Sequence, residues 1–306
     1  MKTELQQYYS ELRAQNRRTL EARAAECDKK SPRFRSLENE RGLVLQQLAA
    51  HKLTPAAAKS RIGAIRADRQ RLLTDLRLPG NYLEPIYTCP VCRDTGEVGE
   101  EPKTLCACAL KRLQSDRYAS ARINDRETFA AFRTDLYPDE TERRQAITAM
   151  KYVRDYAASL PHPQKPNLVL LGDSGRGKSF FGNAAAYDAI ARGIETRKVT
   201  SYRLVREVLD RIGKSGDDPL NAYISYPFLV IDDLGTEPMI PNVTLETLFC
   251  IVNERLTLQL PTVYISNLPA EGLSAVYDER MISRLFDKTS STVLLLRGEN
   301  LRSRLR

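Results

Sequence analysis

Apolar positions recur along this chain in two rhythms, and the change from one to the other divides it. Between residues 2 and 26, Leu5, Tyr8, Tyr9, Leu12 and Leu20 return at helical spacing among many charges, which predicts an amphipathic helix with a narrow apolar stripe. Ser31-Pro32 and Thr54-Pro55 read as helix starts, a capping hydroxyl followed by a proline whose missing N–H costs a first turn nothing. They lead into Phe34, Leu37, Val44, Leu45 and Leu48, and into Ile62, Ile65, Leu72, Leu73 and Leu76, until Pro79-Gly80 stops the run. Three helices joined by short turns predict an antiparallel bundle or long hairpin over residues 1–80.

From residue 141 onward the rhythm changes. Short apolar runs at 167–171, 228–231, 262–266 and 292–296, with a further strand at 196–199, alternate with helical stretches, among them 179–190, 202–212, 243–259 and 270–288. A run with no polar alternation suits a strand buried on both faces, and strand–helix alternation predicts a parallel sheet covered by helices on both sides. Between the two regions lie a loop-rich stretch with a short helix at 81–120 and a linker at 121–140, whose phenylalanines are expected to pack onto the following α/β domain. There is no internal repeat.

The residues Gly172-Asp-Ser174-Gly175-Arg176-Gly177-Lys178-Ser179 directly follow the first of those runs and spell G-x-x-x-x-G-K-S. A triphosphate is held by backbone N–H groups turned inward with side chains kept clear, which the three glycines permit. The next helix starts near Gly177 or Lys178 and adds its unpaired N–H groups and positive dipole end. Lys178 is expected to reach the β- and γ-phosphates and Ser179 to ligate magnesium, with Ser174, Arg176 and Phe180 among the nucleotide contacts. The run at 228–231 ends in Asp232-Asp233. Two adjacent carboxylates closing a buried strand fit a Walker B pair, Asp232 on the magnesium shell and Asp233 orienting or deprotonating the attacking water. Asn267 closes another strand and could stand beside the γ-phosphate, because parallel strands gather their ends at one rim.

Charge and cysteines change the picture further. The net charge is +8, and residues 1–88 hold 17 Lys/Arg against 10 Asp/Glu while the remainder holds 30 against 29, so the basic surplus sits in the helical arm. Such an arm suits nucleic acid or an acidic protein partner, or serves as a solvated helix face. Four of the six cysteines cluster as Cys89-Pro-Val-Cys92 and Cys106-Ala-Cys108. The start of the chain has no apolar signal segment and no run is long enough to span a membrane, so a cytoplasmic protein with reduced thiols is expected. Paired, closely spaced thiols then favour a four-cysteine zinc site. Cys27 and Cys250 read as small apolar residues.

With these pieces assembled, the chain resembles the bacterial and phage helicase loaders of the DnaC/DnaI type. The resemblance runs from Cys89-Pro-Val-Cys92-Arg-Asp-Thr-Gly96 onward and is most specific at the phosphate loop, Ile231-Asp-Asp-Leu-Gly-Thr-Glu237, Asn253-Glu-Arg255 and Ser266-Asn267-Leu268. It implies an AAA+ P-loop core with a five-stranded parallel sheet of order 5-1-4-3-2, preceded by an α-helical domain carrying the zinc knuckle. By the same resemblance Asn267 is sensor 1, Arg284 is the arginine finger offered to a neighbouring subunit, and Arg302 in the terminal motif faces a phosphate. ATP, magnesium and zinc are the implied cofactors. A hexameric replicative helicase, single-stranded DNA and further copies of the chain are the implied partners. Tyr202, Arg203, Arg206 and Arg211 are the candidates for the DNA contact, basic groups tracking phosphates while a tyrosine stacks a base. Asp233 stands where many AAA+ proteins carry Glu, and the end at Arg306 leaves no room for a helical lid, so slow or partner-dependent hydrolysis is expected. Two other functions are open: an IstB-type transposition helper, against which the cysteines argue, and an interaction module whose hydrolysis is vestigial.

Overall fold

The computed structural model describes residues 2–100, 103–137, 139–211 and 219–301. The chain forms two compact units, Met1–Leu113 and Gln114–Arg306. In the first, helices α1 (Lys2–Lys30), α2 (Arg33–Ala49) and α3 (Pro55–Asp75) follow one another. Helix α1 runs past Glu26 because nothing breaks it before Ser31-Pro32, and Lys30 pairs back to Glu26 at 2.6 Å. Thr54 caps α3 as expected, its Oγ1 accepting from the Ala57 N–H at 3.3 Å with Pro55 as the first helical residue. Ser31 does not cap α2. Its N–H is still bonded to the Cys27 carbonyl of α1, so it sits inside the corner, and its own carbonyl accepts from Phe34 instead. Helices α2 and α3 form the hairpin, while Cys27 of α1 joins Phe34 and Leu73 in a small core with Tyr82 and Leu83. The loop-rich stretch holds a two-residue antiparallel pair, β1 (Glu97–Val98) and β2 (Thr104–Leu105), and leads into α4 (Ala107–Ala121).

The second unit is built on five parallel strands: β3 (Asn167–Leu171), β4 (Thr196–Thr200), β5 (Phe228–Asp232), β6 (Thr262–Ser266) and β7 (Ser291–Leu295). Their order across the sheet is β4-β5-β6-β3-β7, which is 5-1-4-3-2 read from the β7 edge. Successive strand residues point to opposite faces, and each face has its own core. Leu168, Leu170, Val230 and Ile265 pack with Phe181 and Val153 on one side, while Val169, Leu171, Leu229 and Ile231 pack with Leu204, Leu248 and Ile251 on the other. That double burial is why the three inner strands, β3, β5 and β6, read as apolar runs, whereas the edge strand β4 carries Arg197 and Lys198 and the edge strand β7 exposes Val293 and Leu295. Helices α5 (Glu140–Ser159), α6 (Lys178–Ala191), α7 (Ser201–Leu209), α8 (Pro219–Ile224) and α9 (Thr244–Thr257) cover the sheet. The single helix expected at 270–288 is two, α10 (Ala270–Val276) and α11 (Glu279–Leu285). Tyr277 is extended between them, and Asp278 restarts the chain as a cap that accepts from the Met281 N–H at 2.9 Å.

Candidate nucleotide site and cysteine cluster

Strand β3 delivers the phosphate loop to the rim of the sheet. Gly172, Gly175 and Gly177 all have left-handed φ values, 136°, 82° and 88°. A Cβ at Gly172 would lie 2.1 Å from the Leu296 carbonyl oxygen just beyond β7, so no larger residue passes there. Gly177 is the N-cap of α6, and Lys178 and Ser179 occupy its first turn. The Lys178 ammonium turns back along the loop, donating to the carbonyls of Gly172 at 2.5 Å and Asp173 at 2.7 Å. It is 4% exposed, and burial lowers its pKa.

The neighbouring strand ends bring the acidic pair and the amide to this point. Ser179 Oγ donates to Asp232 Oδ1 at 3.1 Å, and the same oxygen accepts from the Asp233 N–H at 3.0 Å. Asp233 holds a φ of 57°, and its carboxylate accepts from Asn267 Nδ2 at 3.0 Å. The expected grouping of Lys178, Ser179, Asp232, Asp233 and Asn267 is thus present. A hydroxyl and a carboxylate oxygen this close at the end of a phosphate loop are hard donors that suit magnesium, which keeps several of its waters.

A cavity of about 270 Å³ opens beside the loop, lined by Gly175, Arg176, Gly177, Lys178, Ser179, Phe180, Asp233 and Asn267. Arg176 carries two buried N–H groups, Nε and Nη1, with no hydrogen-bond partner among the described residues. Unpaired buried donors next to a phosphate loop fit an anionic ligand. The opposite wall escaped sequence reasoning. It comes from two 3-10 turns, Phe129–Ala131 and Thr134–Leu136, and supplies Phe132, Leu136 and Tyr137. Phe132 meets Phe180, Phe181 and Tyr137 ring to ring, so the linker phenylalanines both dock the segment and shape the cavity. Burial pushes the Tyr137 hydroxyl up to about 12, so it stays a protonated donor at neutral pH.

Other expected residues lie elsewhere. Arg284, on α11, donates to Asn253 Oδ1 at 3.1 Å and does not line the cavity. Arg302 lies outside the described residues. Tyr202, Arg203 and Arg206 stand on the solvent face of α7, with Arg211 just beyond it, while Leu204, Val205 and Val208 face the core. Arg203 is not free: it donates to Glu207 Oε1 at 2.9 Å, an oxygen that Arg122 also reaches at 2.9 Å. Burial works against ionising Glu207, but hydrogen bonds from Tyr223, Arg203 and Arg122 outweigh it and hold its carboxyl at about 2. Arg255, singled out in the sequence, is fully buried and far from phosphate chemistry. It donates to the carbonyls of Tyr223, Ile224, Tyr226 and Pro261 and to Thr262 Oγ1, all at 2.8–3.0 Å, tying the end of α8 to the start of β6.

In the first unit Cys89, Cys92, Cys106 and Cys108 bring their four Sγ atoms within 4.8 Å of one another. Cys89 and Cys106 are 3.9 Å apart and Cys92 and Cys108 3.5 Å, near the spacing of thiolates at the corners of a tetrahedron about a metal ion. Arg93, Asp94 and Gly96 turn the chain with φ of 50°, 59° and 78°. Asp94, fully buried, accepts from the N–H groups of Thr88 and Cys89 and from Asn16 Nδ2 of α1. Tyr9 of α1 closes the other side, its hydroxyl 3.0 Å from Cys108 Sγ. Burial opposes ionising Cys92, but the Gly96 N–H and hydrogen bonds with the other thiols favour its thiolate, while burial and the same neighbours hold Cys108 as the thiol. The donor set fits a metal ion held by four thiolates.

A family profile for IstB-like ATP-binding proteins matches residues 112–306. The chain belongs to that family. This IstB-like chain is 27% identical over 190 residues to an ATP-binding protein of insertion sequence IS5376 from Geobacillus stearothermophilus, covering 60% of this chain and 71% of the relative. It is 28% identical over 190 residues to the replicative helicase loader DnaI of Bacillus subtilis (strain 168), with 61% and 55% covered. It therefore spans only about half the length of that loader. Among solved structures, a DnaC helicase loader aligns with 57% of this chain and 100% of its own at 18% identity and a TM-score of 0.48. A DnaI structure aligns over 60% and 93% at 22% identity and a TM-score of 0.45. The family match and the loop at the end of β3 make the second unit an ATP-binding domain, and its sheet order is the one expected of an AAA+ P-loop fold. Among the described residues, no helix is long and apolar enough to cross a membrane.

Proposed function

We propose that this protein is an ATP-dependent loader of a replicative helicase. One observation carries the reading: a phosphate loop grouped with Asp232, Asp233 and Asn267, and a cluster of four cysteines, are held by separate compact units of one chain. In this reading the first unit, folded about zinc in the cytoplasm, grips a hexameric helicase. The second binds ATP and magnesium through Lys178, Ser179 and Asp232, and Asp233 and Asn267 hold the attacking water. Hydrolysis is slow, because Asp233 has a shorter reach than Glu, and it is completed by Arg284 from a neighbouring copy. A finger supplied in trans is worth about 10³–10⁵ in rate in other phosphoryl-transfer enzymes, so assembly itself becomes the trigger. Tyr202, Arg203, Arg206 and Arg211 contact single-stranded DNA, and Arg302 faces a phosphate. The similarity to DnaI supports the partner, as do the basic helical arm and the cysteines.

A second reading rests on the IS5376 relative and the family profile: an ATPase that assists a transposase. Capture experiments separate the two. Tagged full-length chain with ATP and magnesium is expected to retain the host's purified replicative helicase. Retention of a transposase from the same genome, with no helicase retained under any nucleotide condition, would sink the loader assignment.

A further inference from the structure

Strand β4 brings a second amine to the metal side of the nucleotide site. Lys198 Nζ lies 3.5 Å from Asp232 Oδ2, while Ser179 and the Asp233 N–H occupy Oδ1. Both side chains are largely withdrawn from solvent, 17% and 7% exposed, so the pair is screened less than a surface pair. Lys178 donates instead to the carbonyls of Gly172 and Asp173, and the charge of Asp232 acts on it electrostatically. The backbone that carries Lys198 is itself tied to the acidic pair. Three residues on, the buried Ser201 hydroxyl donates to the Asp233 carbonyl at 2.8 Å, and Thr200 pairs in register with Asp232 across the sheet. One short stretch therefore meets Asp232 at its carboxylate and Asp233 at its main chain.

We propose that Lys198 is a positioning residue that holds Asp232 as a built-in counter-cation and gives way as magnesium arrives, so that it sets the magnesium concentration at which nucleotide binds. The inference rests on the nucleotide-site reading above. Its physical content is competition: an ammonium 3.5 Å from a carboxylate oxygen and a divalent ion beside the other oxygen draw on the same negative charge. Removing the ammonium leaves more of that charge to the metal. A guanidinium at the same position retains the competition.

The test is binding of a fluorescent ATP analogue to the full chain while free magnesium is titrated. In Lys198→Met the half-saturating magnesium concentration is expected to fall about three- to tenfold, the range for losing one partly buried ion pair. In Lys198→Arg it stays near the wild-type value, as it does in Lys151→Met, which removes an exposed charge from α5. Lys198→Gln carries the same expectation as the Met variant and serves if that variant does not fold. A half-saturation in the Met and Gln variants equal to or above wild type, with analogue binding intact, would overturn the role of Lys198 alone. Failure of the wild type to bind the analogue at any magnesium concentration would overturn the nucleotide site and this inference together.

Discussion

The two units are held by different forces. The second buries a five-stranded sheet on both faces, with cores in which residues such as Leu170, Phe181, Ile231 and Leu248 are fully enclosed. In the first, α1 runs 29 residues, yet of its described side chains only Tyr9 and Cys27 are buried. Helix α2 buries Phe34, Leu37 and Val44, and α3 buries Ala58 and Leu73. Apolar burial contributes about 25 cal/mol per Å², so the second unit stands on area and the first leans on its thiol cluster and on Asp94. A nucleotide site needs strand ends fixed to within a fraction of an ångström, which a doubly covered sheet supplies. A polar helical arm pinned at one cluster leaves most of its helix surface free for a partner.

Metal removal should expose that difference most strongly. Four-thiolate zinc modules owe on the order of 10–16 kcal/mol of apparent stability to the ion. Chelation, or Cys92→Ser, is expected to release α1 from its contacts at Tyr9, Arg13 and Asn16, seen as rapid proteolysis within residues 1–113 while ATP-analogue binding persists. Equal protease resistance with and without chelator would break the comparison from one side. The opposite probe is Arg255→Met. It strands the carbonyls of Tyr223, Ile224 and Tyr226, while that of Pro261 keeps the Leu229 N–H, and it should cost the second unit about 3–5 kcal/mol, at about 1–3 kcal/mol for each buried acceptor left unpaired. Thermal unfolding should show the second unit's transition falling sharply while the first unit's is unmoved.

A smaller effect concerns acid. Glu207 is held at about 2 against an ordinary 4.5. A depressed carboxyl stabilises the fold above its unfolded pKa and loses that contribution as pH falls from about 4.5 toward 2. The second unit should therefore lose stability through that window, and Glu207→Gln should flatten the slope in a pH series of denaturation curves. An unchanged slope would mean that the carboxylate's network with Arg122, Arg203 and Tyr223 contributes nothing to the acid limb.

What could be read from the chain follows from how local each signal is. The phosphate loop, Asp232-Asp233 and the five strands announce themselves within a few residues, because their chemistry or burial is set by immediate neighbours. The cysteine pairs are equally local, and their four sulfurs do converge. The far wall of the cavity was not legible. Phe132 and Tyr137 look like linker aromatics, and only the fold sets them opposite the loop. Lys198 sits on a different strand from its partner Asp232, a contact made by sheet register. Arg255 stood out as part of a motif, yet its five hydrogen bonds act on structure. Helix α8 and the break at Tyr277 were missed because six- and seven-residue helices carry too few turns to show a period.

The proposed division of labour between the units is most directly tested by one capture experiment with three versions of the whole chain: wild type, Cys92→Ser and Lys178→Ala. Each is scored for retention of the cognate hexameric helicase and for binding of the fluorescent ATP analogue. The expected result is a crossed pattern, with Cys92→Ser losing the helicase but keeping nucleotide, and Lys178→Ala losing nucleotide but keeping the helicase. Full helicase retention by Cys92→Ser, with metal analysis finding zinc in the wild type and none in the variant, would contradict the account.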